Sequence, residues 1–132
     1  MSMDEDLAKI LIVDDHPATR ALISVLLQQL GYHNSCAVRN GAEALNELKK
    51  GKYSLILSDW TMPEMDGLTL WGKIKEDDAL RNIPFVLITA TNEIEMVKKA
   101  ISEGVTDYMV KPITLQALTS KVATALNRKQ GS

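Results

Sequence analysis

Three stretches of the chain, KILIVD (Lys9 to Asp14), YSLILSD (Tyr53 to Asp59) and IPFVLIT (Ile83 to Thr89), are apolar almost without interruption. A strand with one face in water alternates apolar and polar side chains. A continuous aliphatic run instead marks a strand covered on both faces, as in a parallel sheet. HNSCAV (His33 to Val38) and DYMV (Asp107 to Val110) are weaker candidates for further strands. Between and after these runs the apolar residues change to helical spacing: Leu22, Val25 and Leu26 with Gln29, then Leu45 and Leu48, then Gly67, Leu70, Trp71 and Ile74, then Ile94, Val97 and Ile101, and last Leu115, Leu118, Val122 and Leu126. Gly31, Gly51 and Gly104 stand where helices should stop, and Pro17 where one should start. The reading is α/β: five strand–helix units, a doubly wound parallel sheet, right-handed crossovers and helices on both faces.

In such folds the ligand site lies beyond the carboxyl ends of the strands, so unexpected polarity should gather there. It does. Asp14 and Asp15 end the first strand, Asp59 the third, Thr89 the fourth, and Lys111 follows the fifth. Carboxylates in one pocket repel, by about 4 kcal/mol for a close pair at an effective dielectric near 20, and raise one another's pKa values. A positive partner is required. Lys111 supplies one charge, and oxygen-only ligands suit a hard, water-retaining cation such as Mg2+. Helix capping by the Asp14–Asp15 pair is the simpler explanation, but it accounts for neither Asp59 nor Lys111.

Composition narrows the remaining classes. The 132 residues carry 15 basic and 17 acidic side chains, a net charge of −2, which gives no basic surplus to hold a nucleic-acid backbone. The expected partners therefore exclude direct nucleic acid. No apolar run approaches the roughly 18 residues of a membrane span, and the acidic start MSMDEDLAK is unlike a signal peptide, so the expectation is a soluble, cytoplasmic protein without membrane insertion. The single cysteine, Cys36, is expected to be a small buried side chain.

Taken together, DD at Asp14–Asp15, SDWTMPEMDGL from Ser58 to Leu68, the TA pair at Thr89–Ala90 and DYMVKPIT from Asp107 to Thr114 resemble the receiver domains of two-component response regulators, of the CheY-like kind. The resemblance covers residues 7–128, leaving 1–6 and 129–132 as flexible tails. It implies the flavodoxin-like (βα)5 fold with strand order 2-1-3-4-5. It also implies that Asp59 accepts a phosphoryl group from a histidine kinase or phosphotransfer domain. Asp15, Asp59 and the Thr61 carbonyl would hold Mg2+, with Mn2+ able to substitute, and Asp14 would act through a bound water. Thr89, Ala90 and Lys111 would bind the phosphoryl group. Tyr108 would turn inward when Thr89 moves, remodelling the face of the fourth helix, fifth strand and fifth helix for a downstream output protein or an attached output domain. Lys111–Pro112 resembles the family's cis peptide. Thr61 and Thr91 would set the lifetime of the phosphorylated state.

The other residues near these motifs read more plainly. Asp66 is expected to cap the next helix and Gly67 to give room at its start, Trp71 to pack, Trp60 to form a partly exposed lid, and His16 to stay on the surface as a local modulator or partner contact. A dehalogenase-type phosphatase would need a second Asp two residues after Asp59, where Thr61 stands. An FMN-binding flavodoxin would need a phosphate loop unlike DDHPATR. The remaining alternative is a receiver-like interaction module that works without phosphorylation. Chemotaxis is one pathway open to the chain, and it could be free-standing or a receiver cut from a longer protein.

Overall fold

β1 (Lys9–Val13), β2 (Asn34–Val38), β3 (Leu55–Asp59), β4 (Phe85–Thr89) and β5 (Asp107–Val110) form one parallel sheet in the order β2-β1-β3-β4-β5. The computed structural model describes residues 8–90 and 93–131, without the side chains of 128–131. Helices α1 (Pro17–Gln29), α2 (Gly41–Leu48), α3 (Gly67–Lys75), α4 (Ile94–Glu103) and α5 (Leu115–Gly131) alternate with the strands. The doubly wound order expected from the sequence is the observed one. α5 continues to Gly131, past the expected end at 128, while Met1–Asp6 and Ser132, expected as tails, lie outside the described residues.

The apolar runs are continuous because each strand feeds two cores. Leu11, Val13, Ile56, Phe85 and Leu87 meet Ala44 and Leu48 of α2, Leu70 and Ile74 of α3, and Val97 and Ala100 of α4. Alternate residues Ile10, Ile12, Leu55, Leu57, Val86 and Ile88 meet Ile23 and Leu27 of α1 and Leu118, Val122 and Ala125 of α5. β3 and β4 are buried along their whole length, and each fully buried aliphatic side chain contributes about 1.5–3 kcal/mol.

Local signals set the helix limits. Pro17 occupies the first turn of α1, where its missing N–H leaves no bond unmade, and Gly31 and Gly104, with φ of 95° and 121°, turn the chain out of α1 and α4. Asn40 and Asp66 cap α2 and α3, accepting from the Glu43 and Thr69 N–H groups at 2.8 Å each.

Several expectations need correcting. The strands beginning at His33, Tyr53 and Ile83 start later, at Asn34, Leu55 and Phe85, and the first ends at Val13. The α1 stripe read from Leu22, Val25 and Leu26 is out of phase: Leu22 and Val25 are 44% and 50% exposed, and the buried residues are Ile23 and Leu27. α1 carries apolar residues around most of its circumference, so periodicity could not select the face that the sheet does. Trp60 is no lid. It is 4% exposed and lies in the core with Leu70 and Phe85, because its N–H is tied to the Ile88 carbonyl at 2.9 Å and its own carbonyl to the Gly67 N–H at 2.7 Å. Cys36 is only half-buried, on the edge strand β2. Trp71 packs against the core as expected.

Gly67 brings α3 against the end of β3. A Cβ there would lie 2.5 Å from the Asp59 carbonyl oxygen and 2.8 Å from Leu87 Cδ2. Gly67→Ala is therefore expected to destabilise the protein by about 2–3 kcal/mol, read as a lower urea midpoint at unchanged slope.

Candidate phosphoacceptor and cation site

Asp14, Asp15, Asp59, Thr89 and Lys111 meet at the carboxyl edge of the sheet. Asp14 follows β1, its N–H bonded to the Val38 carbonyl at 3.1 Å, and its side chain is wholly buried. Asp59 is the last residue of β3, 3% exposed. Its register partner is Ile88, so Thr89, the final residue of β4, stands one step further along. Thr89 in turn pairs with Val110 and its carbonyl accepts from the Lys111 N–H at 2.9 Å, which places the lysine beyond β5 and beside Asp59. The Lys111–Pro112 peptide bond is cis.

Lys111 Nζ lies 3.3 Å from Asp59 Oδ1 and 3.9 Å from Asp14 Oδ2. The Arg20 guanidinium donates to the Asp14 main-chain carbonyl at 2.8 Å. The pair Asp14–Asp15 does not cap α1: His16 occupies the N-cap position without a side-chain cap, and Asp14 Oδ1 accepts from the His16 N–H at 2.8 Å. The His16 ring, expected on the surface, is 63% exposed, yet its Nδ1 reaches Asp14 Oδ1 at 3.3 Å and Asp15 Oδ1 at 3.2 Å.

Burial pushes the Asp59 carboxyl above the usual carboxylate range. The charge of Asp14 pushes the same way, Lys111 opposes both, and Asp15 adds a smaller push upward. Among the described residues, two carboxylate oxygens, Asp14 Oδ2 and Asp15 Oδ1, are buried without a hydrogen bond and have only ionic neighbours, Lys111 Nζ at 3.9 Å and His16 Nδ1 at 3.2 Å. Asp14, Asp15, His16 and Asp59 each offer a ligand atom within 4.8 Å of the others. Orphaned buried oxygens, excess negative charge and a mainly oxygen donor set are what a hard divalent cation satisfies, so these residues fit one.

Of the other residues named from the sequence, Thr61 is exposed, with its hydroxyl donating to Glu93 Oε1 at 3.2 Å, and Ala90 is exposed beside Thr89. Tyr108 is half-buried on β5 with Lys121 Nζ 5.1 Å from its ring centre, against a 240 Å³ cavity that Ile94, Val97, Lys98 and Ile101 also line. Thr91 lies outside the described residues. Glu93 was not legible. Its carboxylate accepts hydrogen bonds from both the Thr89 and the Thr61 hydroxyls, although in the sequence it is only another charge at the start of a helix.

Residues 10–123 match the response regulator receiver domain. The chain belongs to this family. It is 40% identical over 114 residues to chemotaxis protein CheY-3 of Vibrio cholerae, covering 86% of this chain and 88% of that protein. It is 36% identical over 123 residues to chemotaxis protein CheY of Pseudomonas aeruginosa, covering 93% and 99%. Among solved structures, the receiver domain of a signal transduction histidine kinase from Syntrophus aciditrophicus superposes with a TM-score of 0.82 at 36% identity, over 92% of this chain and 91% of that one. The protein is thus a CheY-like receiver, a phosphorylation-dependent two-component switch rather than a classical enzyme. Among the described residues no helix is long and apolar enough to cross a membrane.

Because the folded Asp59 pKa lies above that of an unfolded carboxyl, the native state favours the protonated form, and stability is lost as pH rises through the folded value. In metal-free buffer Asp59→Asn is expected to raise the thermal midpoint by a few degrees at neutral pH. That gain should shrink as the pH falls below the raised Asp59 pKa, where the wild-type side chain already carries its proton.

Proposed function

We propose that Asp59 accepts a phosphoryl group from the phosphohistidine of a histidine kinase or phosphotransfer domain, in a cation-dependent reaction within a cytoplasmic two-component pathway, and that residues 7–128 form the unit that does so. The observation that carries this reading is the pairing of Asp59 Oδ1 with Lys111 Nζ at 3.3 Å beside two buried carboxylate oxygens that lack a hydrogen-bond donor among the described residues. Asp15, Asp59 and the Thr61 carbonyl would hold Mg2+ or Mn2+, with Asp14 acting through water. When bound, the cation supplies charge neutralisation for an anion attacking an anionic donor.

An Asp59 carboxylate oxygen attacks phosphorus, the bond from phosphorus to the donor nitrogen breaks, and the imidazole leaves with the electron pair. Phosphoryl transfer depends on alignment and charge compensation more than on covalent assistance. Lys111 already stands at the nucleophile and turns to the phosphoryl oxygens once the carboxylate charge is used. The Thr89 hydroxyl and the Ala90 N–H are further donors for those oxygens. The return reaction is attack by water with Asp59 as leaving group, and neither Thr61 nor Thr91 carries a charge that would make it a strong base. These two threonines set the lifetime of the phosphorylated state by access rather than by proton transfer.

The output surface in this reading is the α4–β5–α5 face. Tyr108 is half-buried there beside a small cavity, and Ile94, Met96 and Ile101 of α4 are exposed, which supports a partner contact that changes when Thr89 moves. A phosphorylation-independent interaction module gains no support from the site, in which Asp14, Asp15, Asp59, Thr89 and Lys111 all stand together. The partner is a separate output protein or an attached domain.

Incubation with a small acyl phosphate and Mg2+ is expected to add one phosphoryl group by intact mass. Omission of the metal or the Asp59→Asn change should abolish the adduct. Lys111→Met should slow its formation by at least about a hundredfold, the scale of removing one positioned charge from a reacting centre. An adduct that persists in Asp59→Asn would overturn the assignment.

A further inference from the structure

Glu93 reaches the residue that ends β4 at the carboxyl edge of the sheet. Glu93 follows β4, which ends at Thr89, and its N–H bonds to the Ala90 carbonyl at 3.1 Å. Its side chain accepts from the Thr89 hydroxyl and, at 3.2 Å, from the Thr61 hydroxyl, bridging the residues that follow β3 and end β4. Glu93 occupies the N-cap position of α4, yet its side chain makes no capping bond to the helix's own N–H groups. It also has no cationic partner among the described residues.

We propose that Glu93 is a ground-state latch: its carboxylate holds the hydroxyl donors of Thr89 and Thr61 that a phosphoryl group on Asp59 would otherwise engage, and phosphorylation must evict it. The proposal rests on Asp59 being the phosphoacceptor. A carboxylate and a phosphoryl group compete for the same donors, and charge-assisted hydrogen bonds are the strong ones. Two consequences follow from the placement. The resting protein resists adventitious phosphorylation, because the hydroxyls are occupied and the local charge is unfavourable. Eviction also moves the residue on which α4 begins, so that occupancy at Asp59 reaches the α4–β5–α5 face through the backbone of Glu93 as well as through the Thr89 side chain.

Three variants of the full chain separate this from a structural role. Glu93→Gln removes the charge. Glu93→Asp keeps an anion at the helix start, where the helix dipole favours it, but withdraws it from the hydroxyls by one methylene. Glu93→Ala removes both. With a small acyl phosphate and Mg2+, the initial rate of phosphoryl incorporation is expected to rise in all three by roughly tenfold or more, the scale of one charge-assisted hydrogen bond no longer broken on the way. The loss of phosphoryl group after donor removal should be unchanged. A wild-type rate in Glu93→Asp would make the residue a simple helix anion. A slower rate in Glu93→Gln would make it a participant in the transfer, and slower dephosphorylation a base for water. Each of these overturns the latch. The Thr89 methyl resonance of the unphosphorylated protein provides a readout that needs no transfer. It should shift in Glu93→Gln, and no shift would mean that the contact is absent. If the wild type takes up no phosphoryl group under any condition, the phosphoacceptor reading fails and the latch fails with it, whereas equal uptake by wild type and variants defeats the latch alone.

Discussion

Asp14, Asp15 and Asp59 repel one another, and the rest of the fold exists in large part to keep them together. Asp14 and Asp59 are almost wholly out of water, and Lys111 is the cation that approaches both. A cluster of this kind would relax apart on flexible loops. Here each carboxylate is fixed to the end of a strand whose remaining residues are buried on both faces, so separation would require pulling aliphatic side chains out of two cores. The unfavourable electrostatics are thus offset by hydrophobic burial elsewhere. The same strain, expressed in the raised Asp59 pKa, is what a divalent cation and a transferred phosphoryl group can relieve or exploit.

The sheet register converts this constraint into geometry. Asp59 pairs with Ile88, Thr89 with Val110, and the Thr89 carbonyl binds the Lys111 N–H, so Asp59, Thr89 and Lys111 are connected by adjacent rungs of a hydrogen-bonded ladder. On the other side of Asp59, Gly67 lets α3 approach the β3 end closely enough for its N–H to bond the Trp60 carbonyl. A side chain at either junction that needed more room would displace the carboxylate itself. Precision at the site is therefore inherited from backbone pairing and does not depend on long side chains finding each other.

Much of this is legible in the sequence, because the physics that writes the pattern is local. Strands buried on both faces must be apolar throughout, and polar residues at their carboxyl ends have few reasons to be there, so β1, β3 and β4 and the residues Asp14, Asp15, Asp59, Thr89 and Lys111 stood out. What failed depended on partners distant in sequence. The buried stripe of α1 is chosen by the sheet and α5, and Leu22 and Val25 are as apolar as the Ile23 and Leu27 that were actually buried. Trp60 reads as a lid because it follows a polar residue at a strand end, but main-chain bonds to Ile88 and Gly67 carry it inward. Glu93 gave no signal, since its contacts with the Thr89 and Thr61 hydroxyls join elements that the sequence does not mark as neighbours.

The ladder that joins the site also decides when the site can exist. Its members come from the beginning, middle and end of the chain, and they meet only when β1, β3, β4 and β5 have all paired across helical crossovers. Such contacts are non-local, and the entropy of closing long loops has to be overcome before they form. A nascent or partly folded chain therefore contains every residue of the site without possessing it. Reactivity toward a phosphodonor is in this sense a test of finished folding, since a chain without the assembled site has nothing with which to receive a signal.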